Sequence, residues 1–236
     1  RLPESIVNTI DKALQFQYPH YSATKAPSKQ TATGRKGRVK DAEAAEGTKE
    51  SVSYTRSWRK PSFRSGRVEG RMVGNAIHSA MQYIRYEACE SEAAVSEEIR
   101  RLVRVGFLTE EQGRIVNCGQ IASFFDSELG RKLRSGVTHV REFKFSILDP
   151  GEQYGEGLEG EKVLLQGVVD CALLEPDGIT VVDLKTDHVT RETLPKVVER
   201  YRQQVEIYAD ALGRIYENRI KGKYLYFFRL GIAVAI

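Results

Sequence analysis

Long apolar runs are missing from this 236-residue chain. No stretch approaches the roughly 18–20 apolar residues of a membrane-spanning helix, so none is expected, and no membrane partner either. Cysteine is scarce: Cys89, Cys118 and Cys171 lie far apart with no CxxC pair. That spacing argues against a disulfide framework or a cysteine zinc site and fits a reducing, cytoplasmic setting. The first residues, Arg1-Leu2-Pro3-Glu4, contain neither Met nor the apolar core of a signal peptide. We therefore expect a piece of a longer protein. No G-x-x-x-x-G-K-[ST] occurs, so the chain has no nucleotide motor of its own, and no serine sits in a nucleophile elbow.

What is present begins with a charge asymmetry. The chain has 36 basic and 32 acidic residues; residues 1–72 hold 15 and 7 of them, leaving 21 and 25 for the rest. A basic arm on a mildly acidic body suits a polyanionic partner, although a solubilising tether has the same composition. Residues 20–67 are rich in Ser, Thr, Gly, Lys and Arg, with Trp58 and Phe63 as exceptions, and Thr31–Thr55 reads as dependent on a partner for order. We divide the chain into an arm, residues 1–66, and a folded body, residues 67–236.

Within the body, Val73, Ile77, Ala80, Met81, Ile84 and Ala88 form one stripe of an amphipathic helix. Further helices are expected near 92–105, 109–126 and 127–134, the second opened by the capping box Thr109-Glu110-Glu111-Gln112. Arg141–Ile147 alternates as a strand, with Phe143, Phe145 and Ile147 on one face and Glu142, Lys144 and Ser146 on the other. Lys162–Leu174 is apolar on both faces, as a central strand is, and the turn Glu175-Pro176-Asp177-Gly178 returns it as Ile179–Lys185. A long helix is expected over 191–218 and a last strand over 224–230. The order predicts a mixed α/β layer.

Asp183 and Lys185 are two residues apart on a strand and so share a face. Asp170 lies at hairpin spacing from Asp183 across the 175–178 turn. Two carboxylates so placed repel unless a cation lies between them, and oxygen ligands without cysteine suit Mg²⁺ or Mn²⁺. An ion pair at a strand end is the bland alternative. His78 falls at the edge of its helix's apolar stripe, with Gly74 one turn earlier, and reads either as a ligand or as a surface histidine. Gln204 falls on the apolar face of the long helix between Tyr201 and Tyr208, where its amide needs partners. Glu142 gains interest only beside the two aspartates. Gly155–Gly160 matches GxGxxG, but its two glutamates and the strand after it do not suit a dinucleotide site. His20, His139 and His188 show no metal spacing.

Taken in order, G-N-A-I-H (Gly74–His78), R-E-F (Arg141–Phe143), G-V-V-D (Gly167–Asp170), V-D-L-K-T (Val182–Thr186) and Y-x-x-Q-V-x-x-Y (Tyr201–Tyr208) resemble the RecB-like branch of the PD-(D/E)xK nucleases. The nearest resemblance is to the nuclease domains that end the A-type subunits of bacterial ATP-dependent helicase–nucleases, whose linking segment Tyr18-Pro19 and Ala23–Lys29 also resemble. Val169 stands where the founding pattern has proline, as is common in that branch.

The resemblance implies a restriction-endonuclease-like α/β fold: a mixed central sheet flanked by helices, with an extra N-terminal helical region and the basic arm. It implies metal ligation by His78, Asp170, Asp183 and the Leu184 carbonyl. Lys185 would orient the attacking water, Glu142 would support the site, and Gln204, Tyr208 and Tyr201 would line the substrate side. It further implies a Mg²⁺-dependent exonuclease, with Mn²⁺ a possible substitute. The substrate would be the 3′-ended strand of single-stranded DNA, and the setting double-strand break repair. ATP would serve only a helicase core in the same parent chain, and a B-type subunit would be the partner. The rival readings are a free-standing RecB-like exonuclease of a phage or mobile element, and an inactive nuclease fold that only holds DNA.

Overall fold

A computed structural model describes residues 3–16, 21, 24, 27–32 and 65–236, with backbone alone at 4, 5 and 65–71. The expectations for Tyr18, Pro19, His20, Trp58, Phe63 and most of the basic arm lie outside the described residues. The chain forms two compact units: residues 1–31 with 146–166, and residues 32–145 with 167–236.

In the first unit, helix α1 (Glu4–Leu14) is amphipathic, with Ile6, Ile10 and Leu14 on one exposed stripe. Strand β1 (Lys29–Thr31) pairs in parallel with Leu164–Gln166. The GxGxxG segment lies in this unit, and no helix follows it. The Gly157 N–H donates to Glu159 and the Gly160 N–H to Glu152, so carboxylates already hold the amides that a phosphate would need.

The second unit begins with a helical layer. Helix α2 (Ser65–Tyr83) follows the predicted stripe, burying Ala76, Ile77, Ala80 and Met81, and a 3₁₀ turn over Tyr86–Ala88 follows it. Helix α3 (Glu92–Arg104) starts on the Ser91 side chain. The helix expected over 109–126 is two: α4 (Glu110–Ile115), with the predicted capping box, and α5 (Cys118–Asp126). Asn117 causes the break, since its side chain accepts the Gln120 N–H and caps a new start. Helix α6 (Glu128–Arg134) completes the layer.

The sheet comes next. Strand β2 (His139–Pro150) and strand β3 (Lys162–Glu175) pair with each other. Strand β4 (Gly178–Lys185) returns antiparallel to β3, with Glu175 opposite Gly178 and Cys171 opposite Val182. Helix α7 (Leu194–Tyr216) crosses to strand β5 (Ile220–Phe227), parallel to β4, with Asp183 opposite Leu225. Strand β6 (Ile232–Ala235), which the sequence reading missed, closes the edge antiparallel to β5. Its four residues are half exposed, too short and too mixed for a period-2 signal.

Period-2 alternation then sorts the strand residues. Cys171, Leu173, Val182 and Leu184 belong to the same buried cluster as Ile77, Ile84, Ile99, Phe124 and Phe125 of the helical layer. The intervening residues, Asp183 and Lys185, face α7 instead, where the Lys185 ammonium lies 3.9 Å from the centre of the Tyr201 ring.

Candidate active site

The acids and the imidazole meet where strand pairing stops. Cys171 opposite Val182 is the last pair of the hairpin in this direction, and the next residues are Asp170 and Asp183. Instead of extending the ladder, the Leu184 N–H donates to Asp170 Oδ2 at 2.7 Å. The other Asp170 oxygen, Oδ1, lies 3.6 Å from His78 Nδ1, and Glu142 Oε1 lies 3.6 Å from the same nitrogen. His78, Glu142 and Asp170 thus offer three ligand atoms within 4.8 Å of one another.

Glu142 arrives there by a backbone irregularity. Its φ is +44°, in the left-handed region that side chains other than glycine rarely adopt. The strict alternation expected across Arg141–Ile147 therefore fails at this residue, and the carboxylate sits against His78 rather than among the solvent-facing residues of its strand.

Asp183 is 1% exposed. Lys185 Nζ lies 2.8 Å from its Oδ2, a buried ion pair. His78, Glu142 and Asp170 form a donor set of hard oxygens and one imidazole, which fits a divalent cation; Asp183, expected as a further ligand, lies outside this group and is paired with Lys185. Separations of 3.6 Å also suit ligands of one small ion, since two ligands on bonds of about 2.1 Å lie no more than about 4.2 Å apart.

The electrostatics express the same crowding. Burial pushes the Asp170 carboxyl up, and attraction to His78 and Lys185 only partly offsets it. Burial likewise pushes Asp183 up, against the pull of Lys185, with repulsion from Asp170 adding to it. For His78, burial lowers the imidazole, yet Asp170 and Glu142 outweigh it and hold the group up to about 9, although 32% of its side chain remains exposed. Burial also acts to discharge Lys185, and Asp183 overcomes it, so the ammonium stays charged.

The long helix supplies the remaining predicted residues. Gln204 is buried and donates through Nε2 to the Tyr208 hydroxyl at 2.7 Å, while Tyr208 packs edge-on to Phe145. Burial raises the Tyr208 phenol, and repulsion from Asp183 and Asp170 raises it further. The Tyr201 ring lies under Lys185, and its hydroxyl donates to Asp187 at 3.0 Å.

Two supports were not read from the sequence. A Cβ on Gly74 would stand 2.8 Å from Thr186 Oγ1, so glycine lets the His78 helix rest on the end of β4. Thr186 closes the V-D-L-K-T run, but its contact with a helix more than a hundred residues earlier leaves no trace in spacing. Asp187 gathers Arg200 at 2.8 Å together with Tyr201.

Residues 52–232 match the family model of the PD-(D/E)XK nuclease superfamily. The chain belongs to this superfamily. Among its relatives are the A-type subunits of the ATP-dependent helicase/nucleases of Alkaliphilus metalliredigens, 33% identical over 224 residues, and of Clostridium botulinum, 33% identical over 226 residues. Each match covers 93% of this chain but only 18% and 17% of the relative. The corresponding protein of Desulforudis audaxviator is 30% identical over 96% of this chain and 19% of its own length. The chain thus spans less than a fifth of the relatives it matches. No described helix is long and apolar enough to cross a membrane.

Proposed function

We propose that the domain hydrolyses DNA phosphodiester bonds with a divalent cation, Mg²⁺ or in its place Mn²⁺, held by His78, Asp170, Asp183 and the Leu184 carbonyl, with Glu142 beside them. The observation that carries this reading is the meeting of His78, Glu142 and Asp170 within 4.8 Å, with Lys185 charged and paired to Asp183 alongside. When bound, such an ion polarises a phosphoryl oxygen and lowers the pKa of a bound water.

The chain's own groups do the rest. Lys185 sets a positive charge where the pentacovalent phosphate gathers negative charge, and the Tyr201 ring under it limits where the ammonium can swing. Gln204 and Tyr208 present an amide and a phenol on the helix facing the acids, to orient the sugar–phosphate strand. Attack is by water, in line, with no covalent intermediate on the protein.

The relatives are ATP-dependent helicase/nucleases, and that setting extends the proposal. There this domain cuts single-stranded DNA exonucleolytically, from the 3′ end, as a helicase core in the same chain delivers it. A second nuclease subunit, of the B type, completes a cytoplasmic machine for double-strand break repair and recombination. Residues 1–66 then link that core to the nuclease body.

The test uses 5′-labelled single-stranded DNA with the full chain, with and without Mg²⁺. Progressive shortening that requires the metal and disappears in Lys185→Ala supports the reading. DNA bound but never cut, with Mn²⁺ titrating the site normally, would leave a binding module in its place.

A further inference from the structure

Arg141 stands next to Glu142, and its own bonds lead to the helical layer. Its Nη1 donates to two carbonyls at the C-terminal end of α2, Ile84 O at 2.6 Å and Gln82 O at 3.2 Å. Such terminal carbonyls have no partner within their own helix and carry the negative end of its dipole, which suits a guanidinium. Arg141 Nε donates to His139 Nε2 at 3.1 Å, while His139 Nδ1 lies 2.8 Å from Val137 O. The guanidinium carbon also lies 3.6 Å from the centre of the Tyr86 ring, against which His139 stacks. One side chain therefore ties the start of β2 to the end of the helix that carries His78.

The next residue is the one whose backbone is forced. Glu142 holds φ +44°, a conformation that persists only where the surroundings over-determine it. On one side it is followed by Phe143 and the buried Phe145 of β2; on the other it is preceded by the clasped Arg141. We infer that Arg141 is a positioning residue: by fixing the strand to the end of α2, it holds the Glu142 carboxylate against His78 and so preforms the cation site. This rests on the metal site proposed for the domain. The effect expected from a group that orients a ligand from behind is about 10- to 100-fold in metal affinity.

A purely architectural clasp would also lower stability when cut, so the deciding measurement is a double-mutant cycle on Mn²⁺ affinity, by calorimetry or electron paramagnetic resonance of the full chain. Arg141→Lys keeps the charge and loses the fork. It should raise the Mn²⁺ dissociation constant about tenfold or more in the unaltered background, and by less than about twofold when Glu142→Gln has already removed the carboxylate. Thr109→Ala, which cuts the remote capping box of α4, should lower the melting temperature and leave Mn²⁺ affinity unchanged. If Arg141→Lys folds poorly, His139→Phe removes one acceptor of the clasp while keeping a ring on Tyr86, and should show a smaller loss that also vanishes with Glu142→Gln. Equal weakening in both backgrounds, or none in either, overturns the inference and leaves the metal site standing. Absence of Mn²⁺ binding in the unaltered chain overturns the metal site and this inference together.

Discussion

Glu98 offers a test that does not depend on any ligand. It lies on α3, 3% exposed, and its carboxylate accepts the Arg85 N–H at 3.0 Å, the Arg85 guanidinium, and Arg101 Nη2 at 2.8 Å. Arg101 in turn donates to the carbonyl of Tyr83, the last residue of α2. Burial alone would raise this carboxyl; the hydrogen bonds from Arg101 and Arg85 overcome it and hold it at about 2, below its ordinary 4.5. At about 1.36 kcal/mol per pH unit that difference corresponds to ~3 kcal/mol. Arg85 is 58% exposed, so solvent screening reduces the figure to about 1.5–3 kcal/mol. Because the folded value is depressed, the contribution is full above the unfolded value of about 4.5 and is lost as pH falls towards about 2, with more than half gone by about pH 3. Glu98→Gln should therefore cost about 2 kcal/mol at pH 7, or roughly 4–8 °C in melting temperature, measured by urea and thermal unfolding. The gap between the two proteins should narrow between pH 4.5 and 3. A gap that stays constant across that window, or a variant as stable as the parent at pH 7, would refute the assignment.

Other outcomes follow from the site. Lys185→Ala should lower the cleavage rate at least about 100-fold while leaving the circular dichroism spectrum unchanged. Mn²⁺ at about a hundred times its dissociation constant should raise the stability by ~2.7 kcal/mol, some 5–10 °C, and Asp170→Ala should abolish that rise. Gly74→Ala should destabilise the chain by about 1–3 kcal/mol, because the new methyl meets Thr186 Oγ1 at 2.8 Å, and Thr186→Ala in the same chain should restore most of the loss in urea unfolding.

Much of this architecture could be read in the chain because local pattern and burial agree there. The stripe through Ile77, Ala80 and Met81, the doubly apolar run of β3 and the turn at Glu175–Gly178 each state one element without help from elsewhere. The hairpin register could be read in advance because the turn converts sequence distance into pairing, which ends with Cys171 opposite Val182, one residue short of Asp170 and Asp183. What escaped was set by groups distant in sequence. The break at Asn117 follows from one side chain choosing the Gln120 N–H as a cap. The approach of Glu142 to His78 could not be read from alternation, which presumes an extended φ that this residue departs from. Arg141 could not be linked to the end of α2, because its partners there are main-chain carbonyls, which are the same in every residue.

One hydrogen bond near the acids reaches further than its length suggests. By taking the Leu184 N–H, the Asp170 side chain satisfies an amide that lies just past the last rung of the hairpin, Cys171 opposite Val182. A descendant that lost this acid would lose more than a proposed ligand: the Leu184 amide would need another acceptor, and the end of the hairpin would have to rearrange to supply one.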